Sequence, residues 1–385
     1  MNWPEQRRFN MMIKQSFVTE LNRFADHYIK PYIVQWEAAG EYPQELHSMA
    51  GSEGILRLGH SDRDSLFRDT DSAVALVEIL TAGGSQGLTM GLASYLVSLS
   101  ALHQHNDGRF DAVIEQVLDG EATISLAITE PQAGSDIAAI TTQALPSAQQ
   151  DEYLITGEKS YICGGLRASY FVVLAKYGDR ETGQQEMGLF LVEREPGTVS
   201  GERIPTLGWQ CLDVSGVRLE MARGRLIAGS QACFGTLKMM LKRERVNLAV
   251  MANSDARSLL DDSLIFAHKR QVHGAPLHNK QAILHHLAEM QLQISATSAL
   301  VAQSVAALRA GHLTDEAACV TKVNATRALD LVSSLAVQIF GARGCERGYL
   351  PERVFRDAKI LSLGGGTTEV LQNIIGKSLI HSLTK

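Results

Sequence analysis

The chain has 385 residues, of which 45% are hydrophobic and 20% charged, a balance typical of a globular protein with two or three domains. Its formal net charge of −6 provides no basic surface for nucleic acid. The five cysteines are scattered and form no CxxC pair, which argues against a zinc site or a disulfide framework. No apolar run approaches the ~18 residues of a membrane span, and residues 1–12 lack the apolar segment of a secretory signal. We therefore expect a cytoplasmic protein.

The first 118 residues predict an α-helical domain. The apolar side chains at its start recur at helical spacing, as shown by Phe17, Leu21, Phe24 and Tyr28. A later helix is predicted over residues 71–82. The glycine-rich segment 83–91 is either a turn or a small-residue helix end that another backbone can approach. Segment 60–71 is polar without a clear period, which predicts a surface loop.

The sequence pattern changes after residue 118 and again after residue 230. Short β-branched and aromatic runs such as ATISLAIT and YFVVLAKYG alternate with turn residues, which predicts an antiparallel sheet in sandwich or barrel form. Helical periodicity then returns in four segments. The predicted fold class is α+β, with an N-terminal helical domain (1–118), a middle antiparallel β domain (119–230) and a C-terminal four-helix bundle (231–385).

Residues 234–270 predict one long helix that carries an unusual carboxylate. The apolar positions of this helix share one face, and they include Leu237, Leu241, Leu248 and Met251. Glu244 lies on the same face, while the basic residues around it point elsewhere as a solvated face. Burial raises a carboxyl pKa and can make it a proton acceptor near neutral pH. The residues alone leave a second interpretation open, in which Glu244 pairs with a neighbouring arginine.

Four further stretches contain turn-forming residues or glycines that could contribute to a ligand site. A strand ends in the loop ITEPQAGSD (128–136), whose backbone N–H groups and Ser135 hydroxyl can face a phosphate or a flavin edge. A strand, GEKSYICGG (157–165), presents Tyr161, either for stacking on a ring or as a buried strand tyrosine. The segments QIFGARG (338–344) and RDAKILSLGGGTTE (356–369) place glycines where a backbone can approach a ligand. Each is weak evidence by itself.

In this order and at these separations, the four stretches resemble the acyl-CoA dehydrogenase family. The resemblance covers residues 119–385 with TEPxAGSD, GxKxxI, QxFGxxG, RDAKI and GTxE, and it is only general before residue 119. It implies bound FAD. The residues implied to line the flavin are Ile128, Thr129, Gly134, Ser135, Tyr161, Ile162 and Cys163, and Ser135 is also implied to face the thioester.

The resemblance also implies that cofactor sites are shared between subunits. The positions implied to bind the adenine and pyrophosphate of a neighbouring subunit's FAD are Arg270, Gln281, Gln338, Gly341 and Ala342. Thr367 and Glu369 match the C-terminal cradle of the same cofactor. A homodimer or homotetramer is the implied assembly, and an electron-transferring flavoprotein is the implied electron acceptor.

One departure from the family pattern bears on the mechanism. Many members carry the catalytic base as the first residue of an EGT sequence, where this chain has Gly365. A minority branch, which includes isovaleryl-CoA and long-chain dehydrogenases, has its glutamate in a sequence like LxxER. LKRER supplies Glu244 at that position. The resemblance therefore favours Glu244 as the base, Arg245 as a residue that orders the site, and the Gly365 N–H as a donor to the thioester carbonyl.

The function implied is FAD-dependent dehydrogenation of an acyl-CoA to a trans-2-enoyl-CoA in fatty acid metabolism. Glu244 would take the α-proton while the β-hydrogen leaves as hydride to flavin N5. Three alternatives stay open: the same chemistry on an acyl group bound to a carrier protein, a flavin monooxygenase or oxidase of the same fold, and a non-catalytic flavoprotein.

Overall fold

A computed structural model of the chain describes residues 15–149, 151–178 and 185–383. The interpretation of residues 1–12 as lacking a secretory signal lies outside these ranges. None of the described helices is long and apolar enough to cross a membrane. The described chain runs through helices, then a sheet, then helices again, as the sequence predicts.

The N-terminal part consists of short helices around a shared apolar core. Phe17, Leu21 and Phe24 are fully buried, which confirms the helical periodicity at the start of the chain. The helices are α1 (Gln15–Phe24, continued by a π-helical turn, Ala25–Ile29), α2 (Ile33–Ala39), α3 (Glu45–Ser52), α4 (Arg63–Arg68), α5 (Thr70–Ala82), α6 (Gln86–Ala93), α7 (Tyr95–Gln104) and α8 (Asp111–Leu118).

Segment 60–71 contains helix α4 and the start of α5, so the surface-loop prediction is wrong. Asp62 caps α4 by accepting a hydrogen bond from the Ser65 N–H at 2.9 Å. Asp69 caps α5 in the same way through the Ser72 N–H at 2.9 Å. Side-chain caps satisfy the first free N–H groups of a helix, and they stabilise a helix too short to show a period.

The glycine-rich segment 83–91 enters helix α6 rather than forming only a turn. A Cβ on Gly87 would lie 3.0 Å from the Trp209 Cα, so glycine favours this close backbone approach. Of the two interpretations of this segment, the small-residue helix is therefore correct.

The middle part is a seven-stranded sheet that closes on itself. Its strands are β1 (Ile124–Ala127), β2 (Gln143–Pro146), β3 (Glu152–Cys163), β4 (Tyr170–Gly178), β5 (Gln185–Glu193), β6 (Val199–Arg203) and β7 (Val214–Gly229). Strands β4, β2, β3, β7 and β5 pair in sequence, and β5 returns to β4, which makes a barrel. Most pairs are antiparallel, but β4 pairs with β1 and β2 in parallel. The prediction of a purely antiparallel sheet is corrected to this extent.

The C-terminal part is built on the 40-residue helix α9 (Ser230–Lys269), which begins four residues before the predicted start. A short hairpin of β8 (Gln271–Val272) and β9 (Ala275–Pro276) follows it. The remaining helices are α10 (Gln281–Arg309), α11 (Asp315–Phe340), α12 (Leu350–Leu363) and α13 (Thr368–Ser382). Helix α12 is additional to the four that periodicity predicts. We propose the domain divisions near residues 118 and 230, beside the ends of α8 and β7.

Candidate active site

Glu244 lies in the N-terminal half of α9. Its carboxyl is surrounded by protein atoms although the residue keeps a small exposed area. This burial raises the pKa of Glu244 to about 7, and no ionic partner among the described residues opposes the shift. Loss of hydration disfavours the charged form of a carboxylate. The side chain is therefore able to exchange a proton near neutral pH.

The glycine loop before α13 packs directly against Glu244. A Cβ built on Gly365 would lie 3.8 Å from the Glu244 Cγ and 2.7 Å from the Leu248 Cδ1. Gly365 has a φ of +66°, a conformation that side chains rarely adopt. A residue other than glycine would therefore be strained and would push against Leu248. Residue 365 and Glu244 approach the same point in space, although more than a hundred residues separate them in the chain.

Two buried cations hold this loop by its carbonyl oxygens. The Arg245 Nε donates to the Gly365 carbonyl at 3.1 Å. The fully buried Lys322 donates to the carbonyls of Ser362 and Gly366, each at 3.0 Å. Within the described part of the chain, the N–H groups of Gly365 and Gly366 meet no protein acceptor. The loop therefore presents free backbone donors beside Glu244.

The basic residues next to Glu244 are not the solvated face that the sequence predicts. Arg245 is 7% exposed, and burial lowers the pKa of Arg243. Helix α9 is covered by the N-terminal helices on one side and by α10 and α11 on the other. Because partners surround the helix, a single apolar stripe does not describe its buried surface.

The loop 128–136 is fixed to β3 by a buried ion pair that the sequence interpretation missed. The Lys159 Nζ lies 2.9 Å from the Glu130 Oε1, and both side chains are almost completely inaccessible. Lys159 also donates to the carbonyl of Ile128 at 3.1 Å. Burial acts to raise the pKa of Glu130, but hydrogen bonds from Lys159 and Thr142 outweigh it and lower that pKa to about 2. The signal was present as Glu130 in the motif TEPxAGSD and Lys159 in the motif GxKxxI, two charged residues of opposite sign.

This anchoring leaves the tip of the loop open. Gly134 and Ser135 are exposed, while Ile128 and Thr129 are partly buried. The Thr129 carbonyl accepts a hydrogen bond from the Ser160 N–H at 2.9 Å. Ile128 and Thr129 therefore lie where the loop meets β3, and Gly134 and Ser135 lie at its exposed tip.

A bulge in β3 turns Tyr161 outward. The pairing of β3 with β7 shifts register between Lys159 and Ile162, and Tyr161 has a φ of +58°. Its side chain is 61% exposed, so it is not an ordinary buried strand tyrosine. A strained residue with an exposed ring is typical of a ligand platform. Ile162, by contrast, is buried in the barrel core and can face a ligand only through its backbone.

Cys163, the last residue of β3, lies near Glu244 of α9. Burial, followed by the nearby charges of Glu244 and Asp213, raises the pKa of the Cys163 thiol to about 12. The thiol is therefore protonated at neutral pH, which fits the packing role expected for it. The effect of the Glu244 charge on this thiol also indicates that the strand predicted to line the flavin lies near Glu244.

The second group of predicted cofactor residues lies at the opposite end of α9. Arg270 follows the last residue of α9, and the segment that starts with Gly341 follows α11. An open cleft of about 480 Å³ lies between them, lined by Phe266, Arg270, Gln271, Phe340 and Arg343 among others. Gln338, Gly341, Ala342 and Gln281 are exposed, and Gln281 begins α10.

The two C-terminal cradle residues differ in their surroundings. The Thr367 Oγ1 accepts from the Val370 N–H at 3.3 Å and so caps α13. Glu369 is exposed in the first turn of the same helix. The hydroxyl of Thr367 is therefore already used within the fold, whereas the side chain of Glu369 is open to solvent.

These features fit a flavin nucleotide. An exposed strained tyrosine offers a surface for a planar ring, and the open loop tip at Gly134 and Ser135 offers backbone and hydroxyl donors. The free N–H groups of Gly365 and Gly366 suit an oxygen acceptor. The exposed Arg270 suits a phosphate.

The chain matches two family models over most of its length. Residues 125–222 match the acyl-CoA dehydrogenase middle domain and residues 234–380 match the acyl-CoA dehydrogenase C-terminal domain. The chain is 27% identical over 389 residues to the probable acyl-CoA dehydrogenase YngJ of Bacillus subtilis, with 97% of this chain and 99% of that protein covered. It is 26% identical to the mitochondrial long-chain specific acyl-CoA dehydrogenase of Sus scrofa, with 95% and 86% covered.

A solved structure shows the same fold over nearly the whole chain. It is the crystal structure of a probable acyl-CoA dehydrogenase from Mycobacterium abscessus, with a TM-score of 0.88 and 27% identity, covering 97% of this chain and 100% of that one. The chain therefore belongs to the acyl-CoA dehydrogenase family, flavoprotein oxidoreductases that act on CH–CH bonds.

Proposed function

We propose that the protein dehydrogenates an acyl thioester at its α,β-bond with FAD as cofactor, and that Glu244 is the base. The observation that carries the proposal is the contact between Glu244 and Gly365, with a Cβ at residue 365 only 3.8 Å from the Glu244 Cγ. The position that holds the base in many relatives and the helix position that replaces it here thus reach one site. A raised pKa of about 7 matches the task of taking a weakly acidic α-proton.

The glycine loop supplies the second catalytic element. Removal of an α-proton places negative charge on the thioester oxygen, which preorganised N–H donors stabilise. The free N–H of Gly365 is suited to this position, and losing a side chain at residue 365 leaves that donor in place. Arg245 keeps the loop in position by binding the Gly365 carbonyl. Arg245 is therefore a positioning residue.

The flavin would be held by Thr129, Gly134, Ser135 and the Tyr161 ring on one side of the site. When bound, it supplies the acceptor for the β-hydride. The remaining contacts come from Arg270, Gln281, Gln338, Gly341 and Ala342 of a second copy of the chain. We therefore propose a homodimer or homotetramer, with an electron-transferring flavoprotein as electron acceptor and a cytoplasmic location. The acyl group is carried by CoA or by the phosphopantetheine of a carrier protein, which present the same thioester arm.

The test is anaerobic bleaching of the flavin absorbance by short, branched and long acyl-CoAs. In Glu244→Gln the amide cannot accept the proton, so we expect the bleaching rate to fall by about 10²–10⁴-fold while the flavin stays bound. Glu202→Gln, which changes an exposed glutamate of β6, is the control and should bleach as the wild type does.

Bleaching that survives Glu244→Gln would contradict the base assignment. A flavin-loaded protein that no acyl-CoA bleaches would instead point to a carrier-protein substrate. Rapid oxidation of the reduced flavin by O₂ would favour a monooxygenase or oxidase.

A further inference from the structure

Lys322, in the first half of α11, places a cationic side chain in the interior of the C-terminal helices. The residue is fully inaccessible, although a lysine is rarely buried without a partner. Its ammonium carries three hydrogen-bond donors. Two of them go to the carbonyls of Ser362 and Gly366, each at 3.0 Å. Lys322 therefore binds the loop before α13 on both sides of Gly365.

Lys322 differs from the other fully buried lysine, Lys159, in its partners. The Lys159 Nζ lies 2.9 Å from the Glu130 Oε1, whereas among the described residues no acidic side chain forms an ion pair with Lys322. A carbonyl oxygen carries only a partial negative charge, so the charge of Lys322 is less fully compensated. The fold therefore keeps a costly buried cation beside the loop that contacts Glu244.

The protonation of Lys322 depends on groups from three helices. Burial, followed by the charge of Arg245 on α9, lowers its pKa to about 8. Cys319 and Asp330 on α11 and Glu369 on α13 act in the opposite direction. The side chain is therefore mainly protonated at pH 7 and loses its charge as the pH rises through about 8.

The peptide group that carries the Gly365 N–H lies between groups that the protein holds. A peptide group is planar, so holding its carbonyl also fixes the N–H of the next residue. On the N-terminal side, Lys322 binds the Ser362 carbonyl. The Gly364 N–H donates to the Ile360 carbonyl at 2.9 Å. The chain therefore enters Gly365 in a fixed direction.

On the C-terminal side, two cations bind successive carbonyls of the loop. Arg245 donates to the Gly365 carbonyl at 3.1 Å, and Lys322 donates to the Gly366 carbonyl. Gly365 and Gly366 have φ values of +66° and +103°, and glycine has more conformational freedom to lose than any other residue. The direction of the Gly365 N–H thus depends on these two cations, and only Lys322 holds the loop on both sides.

We propose, resting on the proposed function, that Lys322 is a positioning residue whose ammonium aims the Gly365 N–H at the thioester carbonyl oxygen. A fixed donor is most effective where charge develops, and removal of the α-proton by Glu244 places negative charge on that oxygen. The positive charge of Lys322 in the same buried region favours this change further. Its contribution is therefore larger in the transition state than in the bound substrate.

The first experiment separates the rate of bleaching from substrate binding. Lys322→Met keeps an unbranched side chain but leaves the two carbonyls without their donor. We expect the limiting rate of flavin bleaching at saturating acyl-CoA to fall by about 10–10²-fold, less than the loss of a whole oxyanion donor. The half-saturating acyl-CoA concentration should change by less than about twofold. The control Lys238→Met removes an exposed lysine of α9 and should bleach as the wild type does.

The second experiment follows charge stabilisation without turnover. A 3-oxoacyl-CoA has an acidic α-C–H, and its enolate differs from the keto form in ultraviolet absorbance. A pH titration of the bound ligand therefore gives the pKa of that C–H in the site. We expect Lys322→Met to raise this pKa by about 1–2 pH units, which corresponds to the same fold-change as the loss of rate. Lys238→Met should leave it unchanged.

Two results with the variant would overturn the inference. One is a flavin-loaded Lys322→Met protein that bleaches at the wild-type limiting rate. The other is a change in the half-saturating concentration alone, since that result would make Lys322 a residue for binding.

The wild type supplies a test that needs no variant to fold. Beyond the plateau that Glu244 sets above pH 7, the limiting rate should fall again as the pH rises through about 8 and Lys322 loses its charge. A plateau that continues unbroken to about pH 10, where an ordinary lysine titrates, would contradict the role of Lys322.

These readouts separate the inference from the proposed function. If no acyl thioester bleaches the flavin, but the wild type binds the 3-oxoacyl-CoA as its enolate and Lys322→Met does not, the dehydrogenase proposal fails and the role of Lys322 stands. If the wild type and Lys322→Met bleach equally, the dehydrogenase proposal stands and the role of Lys322 fails.

Discussion

Helix α9 is enclosed around Glu244 but exposed near Arg270. Around Glu244 the helix is enclosed by other parts of the same chain, with Gly365 in contact and Cys163 close by. Near Arg270 it is exposed, and apolar side chains such as Leu264 (44%) and Ile265 (52%) face outward. Glu244 and Arg270 lie roughly 40 Å apart along the helix, at about 1.5 Å per residue. In our proposal the proton-transfer half lies within one chain, and the far end meets the cofactor of a second copy.

The buried ion pair of Glu130 and Lys159 fixes the loop 128–136 to β3, so breaking that pair should give the largest stability effect. Lys159→Met leaves the Glu130 carboxylate buried without its cation, and we expect a loss of about 3–5 kcal/mol in the free energy of unfolding together with loss of flavin. Chemical denaturation measures the first and absorbance the second. The double variant Glu130→Gln/Lys159→Met should recover much of the stability, and a single variant as stable as the wild type would refute the role of the pair.

A substitution at the exposed end of α9 should weaken the retention of FAD without changing the rate of proton removal by Glu244. Arg270→Ala removes a charged hydrogen-bond donor, and we expect FAD binding to weaken by about 1.5–3 kcal/mol, measured by flavin release on dilution. Bleaching of the flavin that remains bound should keep the wild-type rate constant.

A mixing experiment tests whether sites are shared between subunits. Mixed assemblies of Arg270→Ala and Glu244→Gln chains contain one site with both an intact base and an intact arginine. We therefore expect the mixture to recover bleaching activity that neither variant has at the same FAD concentration. Proven mixed assemblies without recovery would place both halves of the cofactor site in one chain.

The pH dependence of the bleaching rate tests the assignment of Glu244 at the enclosed end of α9. Burial raises the pKa of Glu244 to about 7, so the bleaching rate should rise about tenfold per pH unit below pH 7 and level off above it. The pKa of Glu244 is higher in the folded state than in the unfolded state. Its contribution to the free energy of unfolding is therefore fully present below about pH 4 and is lost as the pH rises through 7. The unfolding free energy of Glu244→Gln should lack this change, and a rate profile with no inflection near pH 7 would contradict the assignment.

Local signals explain which predictions succeeded and which failed. Helix α9 and the α–β–α order were predicted because periodicity is a property of neighbouring residues. Helix α4 was missed because it is short, although each of its boundaries carried an aspartate followed three residues later by a serine, as in Asp62 with Ser65. That capping pattern could have been used to predict the helix from the sequence. The predicted solvated face at Arg243 and Arg245 failed because the helices that cover α9 come from distant segments.

The sequence was enough to predict the family, the motifs expected to line the flavin and the one glutamate at an unusual helix position, because these are written as short patterns at defined separations. The folded chain alone shows that Gly365 meets Glu244, that Glu130 pairs with Lys159 inside the sheet and that the buried Arg243 Nε has no partner among the described residues. Each of these facts depends on surfaces that come together from far apart in the chain, and both desolvation and charge pairing act through space.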